Sequence, residues 1–301
     1  MTISRNSRLN NAGSRLRPAD SASKAVLITG CASGIGDETA RHLAARGWTV
    51  YATARRPETL ADLEAAGCKT LACDVTDEKS MRGCVDAVVA VEGAVGVLVN
   101  NAGYSQSGAV ESVDMDSIRR QFETNVFGLI RMSQLVLPGM RDQRWGRIVN
   151  ISSMGGRLTF PGGGIYHATK HAVEAICDAM RFEVAGFGVD VVCVEPGLIV
   201  TGFGDAAARS LEAGAAAEGP YGEFNARVGA ATEGVYKGPM RRLGGGPETV
   251  ARTIAKAITA RRPRSRYKVT PSAKLAIAQR RLVSDRVWDR AMAAQFPRPE
   301  A

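Results

Sequence analysis

The sequence predicts an α/β protein: a doubly wound parallel sheet forming a single domain, with a lid-like insertion and a C-terminal amphipathic extension. Three observations carry this. Apolar runs rich in β-branched residues recur along the chain, helix-length stretches with apolar residues at i, i+3, i+4 spacing separate most of them, and a glycine-rich turn follows the first run directly. Strand and helix alternating this often implies parallel strands covered by helices on both faces.

The strand candidates are 25–29, 48–53, 70–73, 95–99, 147–151, 189–194 and 267–270; the helical stretches include 35–45, 80–91, 118–140 and 166–187. Gly47 closes the first helical stretch, Pro57 opens the second and Gly188 precedes a strand, which agrees with those limits. Residues 202–246 break the pattern. They are rich in Ala and Gly with isolated Phe203, Tyr221, Phe224 and Tyr236, too long for an ordinary connection, so we read a substrate lid, with an irregular insertion as the alternative. Two short amphipathic stretches, 274–283 and 285–296, make up the extension 271–301. It either packs on the domain or touches a membrane surface. The domain itself is 24–270, preceded by a disordered basic tail, 1–23.

The net charge of +9 invites a polyanion partner, but residues 1–23 carry +3 and residues 261–301 carry +8, leaving −2 for the middle of the 301-residue chain. Nucleic-acid binding by the basic ends therefore ranks third among the readings, and no nucleic-acid partner is expected. With 45% hydrophobic and 23% charged residues the chain belongs to the globular class rather than the disordered one. No apolar run approaches the ~18–20 residues of a membrane span. The first 23 residues lack the apolar core of a secretory signal, and the six cysteines show no CxxC spacing, so a reduced, cytoplasmic protein is expected, membrane-associated if the extension touches a bilayer. His167 and His171 are four apart, yet Lys170 lies between them and no glutamate stands in the zincin position, so no metal site is expected. The two histidines are placed beside the active-site face.

Chemistry concentrates at the strand ends. The first strand runs into Gly30-Cys31-Ala32-Ser33-Gly34-Ile35-Gly36 and then a helix. Glycines there let the backbone turn tightly toward a pyrophosphate, whose charge meets the helix N-terminus. The spacing is Gly-x-x-x-Gly-x-Gly, so the position after a first strand, more than the motif, carries the reading. The second strand ends in Arg55-Arg56 with no acid to exclude a 2′-phosphate, which favours NADP(H) over NAD(H). Ordinary solvated surface charges are the alternative. Asp74-Val75 and Asn100-Asn101-Ala102-Gly103 close the third and fourth strands, at the crevice where such sheets bind ligands. Tyr166 and Lys170, four apart on one helical face, form a phenol–ammonium pair that could lower the phenol's pKa. Ser152-Ser153 ends the fifth strand nearby, and Asn125 is an amide inside an apolar helical stretch.

Together these residues resemble the classical short-chain dehydrogenase/reductases. Thr29-Gly30, Gly34, Gly36, Asp74, Asn100-Asn101-Ala102-Gly103, Asn125, Ser153 thirteen before Tyr166, Lys170, and Pro196-Gly197 followed by Thr201 fall in family order over residues 24–201. The second strand and the tail with Arg266-Tyr267 look most similar to NADP-using hydroxysteroid and retinol dehydrogenases. The resemblance implies a Rossmann-type fold, Tyr166 as general acid/base, Ser153 polarising the substrate oxygen and Lys170 on the nicotinamide ribose. It also implies Asn125 in a water-linked proton relay, with Pro196, Gly197 and Thr201 facing the nicotinamide. Cofactor contacts are expected from Gly30, Ser33, Gly34, Ile35, Gly36, Arg55, Arg56, Asp74, Val75, Asn101, Ala102, Gly103, Tyr166 and Lys170 as well. Cys31-Ala32 and Thr169 are mild departures. The expected activity is interconversion of an alcohol and a carbonyl on a bulky apolar substrate by a homo-oligomer; a non-catalytic NADP(H)-binding sensor or scaffold is the alternative.

Overall fold

The computed structural model describes residues 22–202, 219–296 and 299. Seven parallel strands form one sheet in the order β3-β2-β1-β4-β5-β6-β7. They are β1 (Val26–Ile28), β2 (Val50–Ala54), β3 (Lys69–Ala72), β4 (Val97–Asn100), β5 (Gly146–Ile151), β6 (Val189–Glu195) and β7 (Arg266–Lys268). β1 pairs with both β2 and β4, so the winding reverses between β1 and β4, and the crevice at their carboxyl ends is where a ligand fits.

Side-chain alternation sorts the core into two layers. Val26 and Ile28 of β1 face one side with Val97 and Val99 of β4, under α1 (Gly34–Ala44) and α8 (Pro247–Thr259), which contributes Val250, Ile254 and Ile258. Leu27, Leu98 and Ile148 face the other, under α3 (Glu78–Glu92), α5 (Gly128–Asp142) and α6 (Gly164–Glu183). Both faces are covered, which is why the strands read as continuous apolar runs. α2 (Ala61–Ala65) follows a 3₁₀ turn over Pro57–Leu60, shorter than the helix Pro57 was expected to open.

The stretch expected as one helix over 118–140 is divided. α4 (Met115–Phe122) runs into a π-turn, Glu123–Phe127, before α5 continues, and the Gly128 N–H reaches back five residues to the Glu123 carbonyl. Asn125 is the middle residue of that turn. Part of 202–246 is regular: α7 (Gly222–Lys237) follows residues 203–218, which lie outside the described residues, and a 3₁₀ turn, Pro239–Leu243, leads to α8. The tail, 1–23, lies outside as well apart from Ala22 and Ser23. The C-terminal stretches fold as α9 (Pro271–Leu282) and α10 (Asp285–Gln295). Ala273 and Ile277 of α9 are buried, and Trp288 of α10 packs its ring on Phe160 at 6.1 Å and donates Nε1–H to the Thr159 carbonyl at 3.4 Å. No helix among the described residues is long and apolar enough to cross a membrane.

Candidate active site

Close backbone approach shapes the nucleotide end of the crevice. Gly30 and Gly34 hold φ of +72° and +65°, left-handed values that disfavour a side chain. A Cβ at Gly36 would lie 2.3 Å from the Gly30 carbonyl oxygen and 2.6 Å from Asn101 Nδ2, so the helix can start this close to the turn only with glycine there. Ser33 is the N-cap of α1 but makes no side-chain capping bond. Ile35 packs on the core beneath. Thr29 Oγ1 accepts the Asn101 and Ala102 N–H groups, each at 3.0 Å, and Asn101 Nδ2 donates to the Thr29 and Gly30 carbonyls, each at 2.9 Å. The end of β4 is thereby clipped to the glycine turn. This cradle fits a dinucleotide: the N-terminus of α1 meets a turn that only glycine backbone brings this close.

The remaining expected cofactor residues surround it. Arg55 and Arg56 are exposed at the end of β2. Asp74 Oδ1 accepts the Thr76 N–H at 2.9 Å and its hydroxyl at 2.8 Å, and the buried Val75 lies against Gly128 at the start of α5. A Cβ at Gly34 would lie 3.6 Å from Thr201 Cγ2, so the turn and the stretch after β6 meet across the crevice. The Pro196 carbonyl accepts the Met154 N–H at 2.8 Å, and Gly197 is pressed against Thr270 and Ser272 at the start of α9.

The catalytic group assembles from β5, the π-turn and α6. The Ser153 hydroxyl lies near enough to the Tyr166 phenol to hold its pKa down, and it accepts the Gly155 N–H at 3.0 Å. Lys170 Nζ donates to the Ile151 carbonyl at 2.9 Å and lies 5.8 Å from the Tyr166 ring centroid. Asn125, 1% exposed, donates Nδ2–H to the Tyr104 carbonyl at 2.9 Å and to Thr169 Oγ1 at 3.1 Å, while its Oδ1 accepts the Tyr104 N–H at 3.0 Å. A Cβ at Gly103 would lie 3.0 Å from Asn125 Oδ1 and 3.6 Å from Lys170 Nζ, so both groups reach the end of β4. All four expected catalytic side chains thus meet at the carboxyl edge of the sheet.

In the chain by itself, burial pushes the Tyr166 phenol above its ordinary value, the Ser153 hydroxyl opposes this and the nearby Tyr236 phenol adds to the rise. Burial also lowers Lys170, to about 8, against the pull of Cys193, Cys177 and Glu174. His167, lowered to about 4 mainly by burial, packs against the Tyr166 ring at 5.7 Å and accepts the Phe160 N–H at 3.3 Å; His171 is exposed.

Several organising residues escaped the sequence reading. Thr169 holds Asn125, and its hydroxyl also donates to the Tyr166 carbonyl at 2.7 Å. Asn225 of α7 is fully buried; its Oδ1 accepts the Ala109 N–H at 2.9 Å and its Nδ2 donates to Ser112 Oγ at 3.1 Å, and Val228 lies against Gly162. α7 therefore bridges the loop after β4 and the loop before α6. A cavity of about 610 Å³ lined by Lys237, Gly238, Pro239, Arg241 and Arg242 opens at its C-terminal end, walled by this helix and the following turn rather than by the catalytic group. Asn225 was legible only as a polar residue among alanines.

The short chain dehydrogenase family profile matches residues 24–211. A 3-ketodihydrosphingosine reductase of Bacteroides thetaiotaomicron is 41% identical over 180 residues, 60% of this chain and 65% of that protein, slightly under two thirds of its length. An NADPH-dependent 3-dehydrocapnine reductase of Ornithobacterium rhinotracheale is 33% identical over 274 residues, 88% of this chain and 94% of that one. The crystal structure of a short-chain dehydrogenase from Streptomyces avermitilis superposes with a TM-score of 0.74 at 36% identity, covering 91% of this chain and 95% of that one. A match of that extent, on a sheet of this order, means that the chain belongs to the short-chain dehydrogenase/reductase family and is an NAD(P)-dependent oxidoreductase acting on CH–OH groups.

Proposed function

We propose that the protein interconverts a ketone and its secondary alcohol with NADP(H) in preference to NAD(H), on a bulky apolar substrate. The observation that carries this reading is the meeting of Ser153, Tyr166, Lys170 and Asn125 at the carboxyl edge of β5, with Lys170 Nζ 5.8 Å from the phenol ring and the glycine cradle alongside. A bound NADPH supplies the hydride to the carbonyl carbon. Ser153 then donates to the substrate oxygen, and Tyr166 Oη gives it the proton that completes the alcohol. Lys170 and Asn125 bracket Gly103, and between them they orient the nicotinamide ribose and return a proton toward Tyr166. The N–H groups at Ser33–Gly36 hold the pyrophosphate, while Arg55 and Arg56, exposed at the end of β2, take the 2′-phosphate as charge-assisted donors.

The two relatives named as reductases of 3-ketodihydrosphingosine and 3-dehydrocapnine support a ketone on an apolar chain. Burial of Asn225 and Val228 supports α7 as a lid over that chain. The test is NADPH and NADH oxidation against short-chain, cyclic and long-chain ketones, a steroid ketone and a retinoid aldehyde, with Tyr166→Phe as the blank. Turnover should fall by about 10²–10⁴-fold in the variant, with NADPH affinity little changed. Comparable turnover by Tyr166→Phe, or tight NADPH binding with no ketone reduced by the wild type, would overturn the reading and favour a sensor.

A further inference from the structure

Behind the catalytic group lies a cluster of charges that the reaction does not use. Arg266 of β7 places Nε 2.8 Å from Glu174 Oε2 and 3.4 Å from Glu195 Oε1, and its NH2 reaches Asp178 Oδ2 at 2.6 Å. Arg157 adds its NH1 3.8 Å from Glu174 Oε2, and Cys193 donates its thiol to Glu174 Oε1 at 3.0 Å. Glu174 is 4% exposed and Glu195 is fully buried. Among the described residues, neither carboxyl oxygen of Glu195 accepts a hydrogen bond. Burial on this scale is costly for a carboxylate, so the cluster needs an account.

Its members come from the pieces that must agree in the active site. Glu174 is one turn beyond Lys170 on α6, Arg157 follows the Ser153 turn, and Glu195 immediately precedes Pro196-Gly197. The Ser153 turn has no slack: a Cβ at Gly156 would lie 2.8 Å from the Lys170 carbonyl oxygen and 3.0 Å from Glu174 Cγ. We propose that the Glu174–Arg266–Glu195–Arg157 cluster is a positioning unit that holds the Ser153 turn in register with Tyr166 and Lys170. It acts through the Ser153 turn and α6 and touches neither substrate nor cofactor.

Charge count within the cluster gives it a proton dependence. Ionised, Glu195 adds a buried negative charge beside Glu174; Arg157, Arg266 and Lys268 face it as cations, and Arg181 pairs with Asp178 at the edge of the cluster. Burial, with Glu174 adding, raises Glu195 to about 7, against Arg157, Arg266 and Lys268. The unit is therefore complete below about pH 7 and loosens above it.

This inference rests on the ketoreductase reading for its kinetic arm only. Amide hydrogen exchange at Met154, Gly155 and Gly156 reports the turn without turnover, with the α1 amides as internal reference. In Arg266→Lys, which keeps the charge but loses the fork, exchange at the turn should rise by about tenfold or more relative to α1, and kcat on the best ketone of the panel should fall by about tenfold or more, with NADPH affinity within about threefold. Glu195→Gln should keep kcat at pH 6 and remove the loss of turn protection and of kcat that the wild type shows between pH 6 and 8; these pH values bracket the Glu195 transition. Unchanged turn exchange in folded Arg266→Lys, or identical wild-type and Glu195→Gln pH profiles, overturns the proposal; if Arg266→Lys does not fold, the Glu195→Gln comparison decides. A wild type that reduces no ketone counts against the ketoreductase reading alone, and the exchange result still decides this one.

Discussion

Replacing Glu195 by glutamine is the most informative single perturbation, because it removes a charge while keeping shape. The wild-type carboxyl rises from an ordinary 4.5 to about 7. The sign follows from linkage: below pH 4.5 both the folded and unfolded carboxyls are protonated and nothing is lost, between 4.5 and about 7 only the unfolded chain releases its proton, and above about 7 the full cost applies. At 1.36 kcal/mol for each pH unit, that span of about 2.5 amounts to about 3 kcal/mol of wild-type stability lost between acid and pH 8. Glu195→Gln should escape this loss. The assay is urea unfolding of both proteins at pH 5 and pH 8, with equal m-values required for the comparison. The variant should gain on the wild type by about 2–3 kcal/mol between the two pH values. A difference that is the same at both would refute a proton-dependent Glu195 and leave only a packing effect.

Three further outcomes follow from the geometry. Gly36→Ala should destabilise the apo protein by about 1–3 kcal/mol and weaken NADPH binding, measured by thermal shift and by fluorescence titration, since its Cβ falls 2.3 Å from the Gly30 oxygen. Removing both guanidiniums in Arg55→Ala/Arg56→Ala should raise the KM for NADPH about 10–100-fold with little effect on NADH; an unchanged NADPH:NADH ratio of kcat/KM would show them to be ordinary surface charges. Asn225→Ala leaves the buried Ala109 N–H unpaired, costing about 1–3 kcal/mol, and should raise the KM for the longest ketones more than for the shortest.

The inner strands were legible because they are buried on both faces. Runs such as Val97–Asn100 and Val189–Glu195 are apolar almost throughout, and each was located within a few residues. The glycine turn and the Tyr166–Lys170 spacing were equally plain, because left-handed backbone and a shared helix face are local properties. The π-turn at Asn125 was not: it depends on Tyr104 and Thr169, from other parts of the chain, taking up the amide's hydrogen bonds. Spacing likewise places an ammonium near a phenol but says nothing of how much water both have lost, and burial is the largest influence on each in the folded chain.

By itself the sequence determined the layered fold and the family and singled out the candidate reactive side chains, since periodicity, glycine and i, i+4 spacing act over a few residues at a time. Tertiary structure alone decided what brings Glu195, Glu174, Arg157 and Arg266 into contact, because they are separated by up to 109 positions and meet only when β6, α6, β7 and the Ser153 turn are packed together. It also decided how tightly Glu195 holds its proton, because desolvation is a property of the assembled interior.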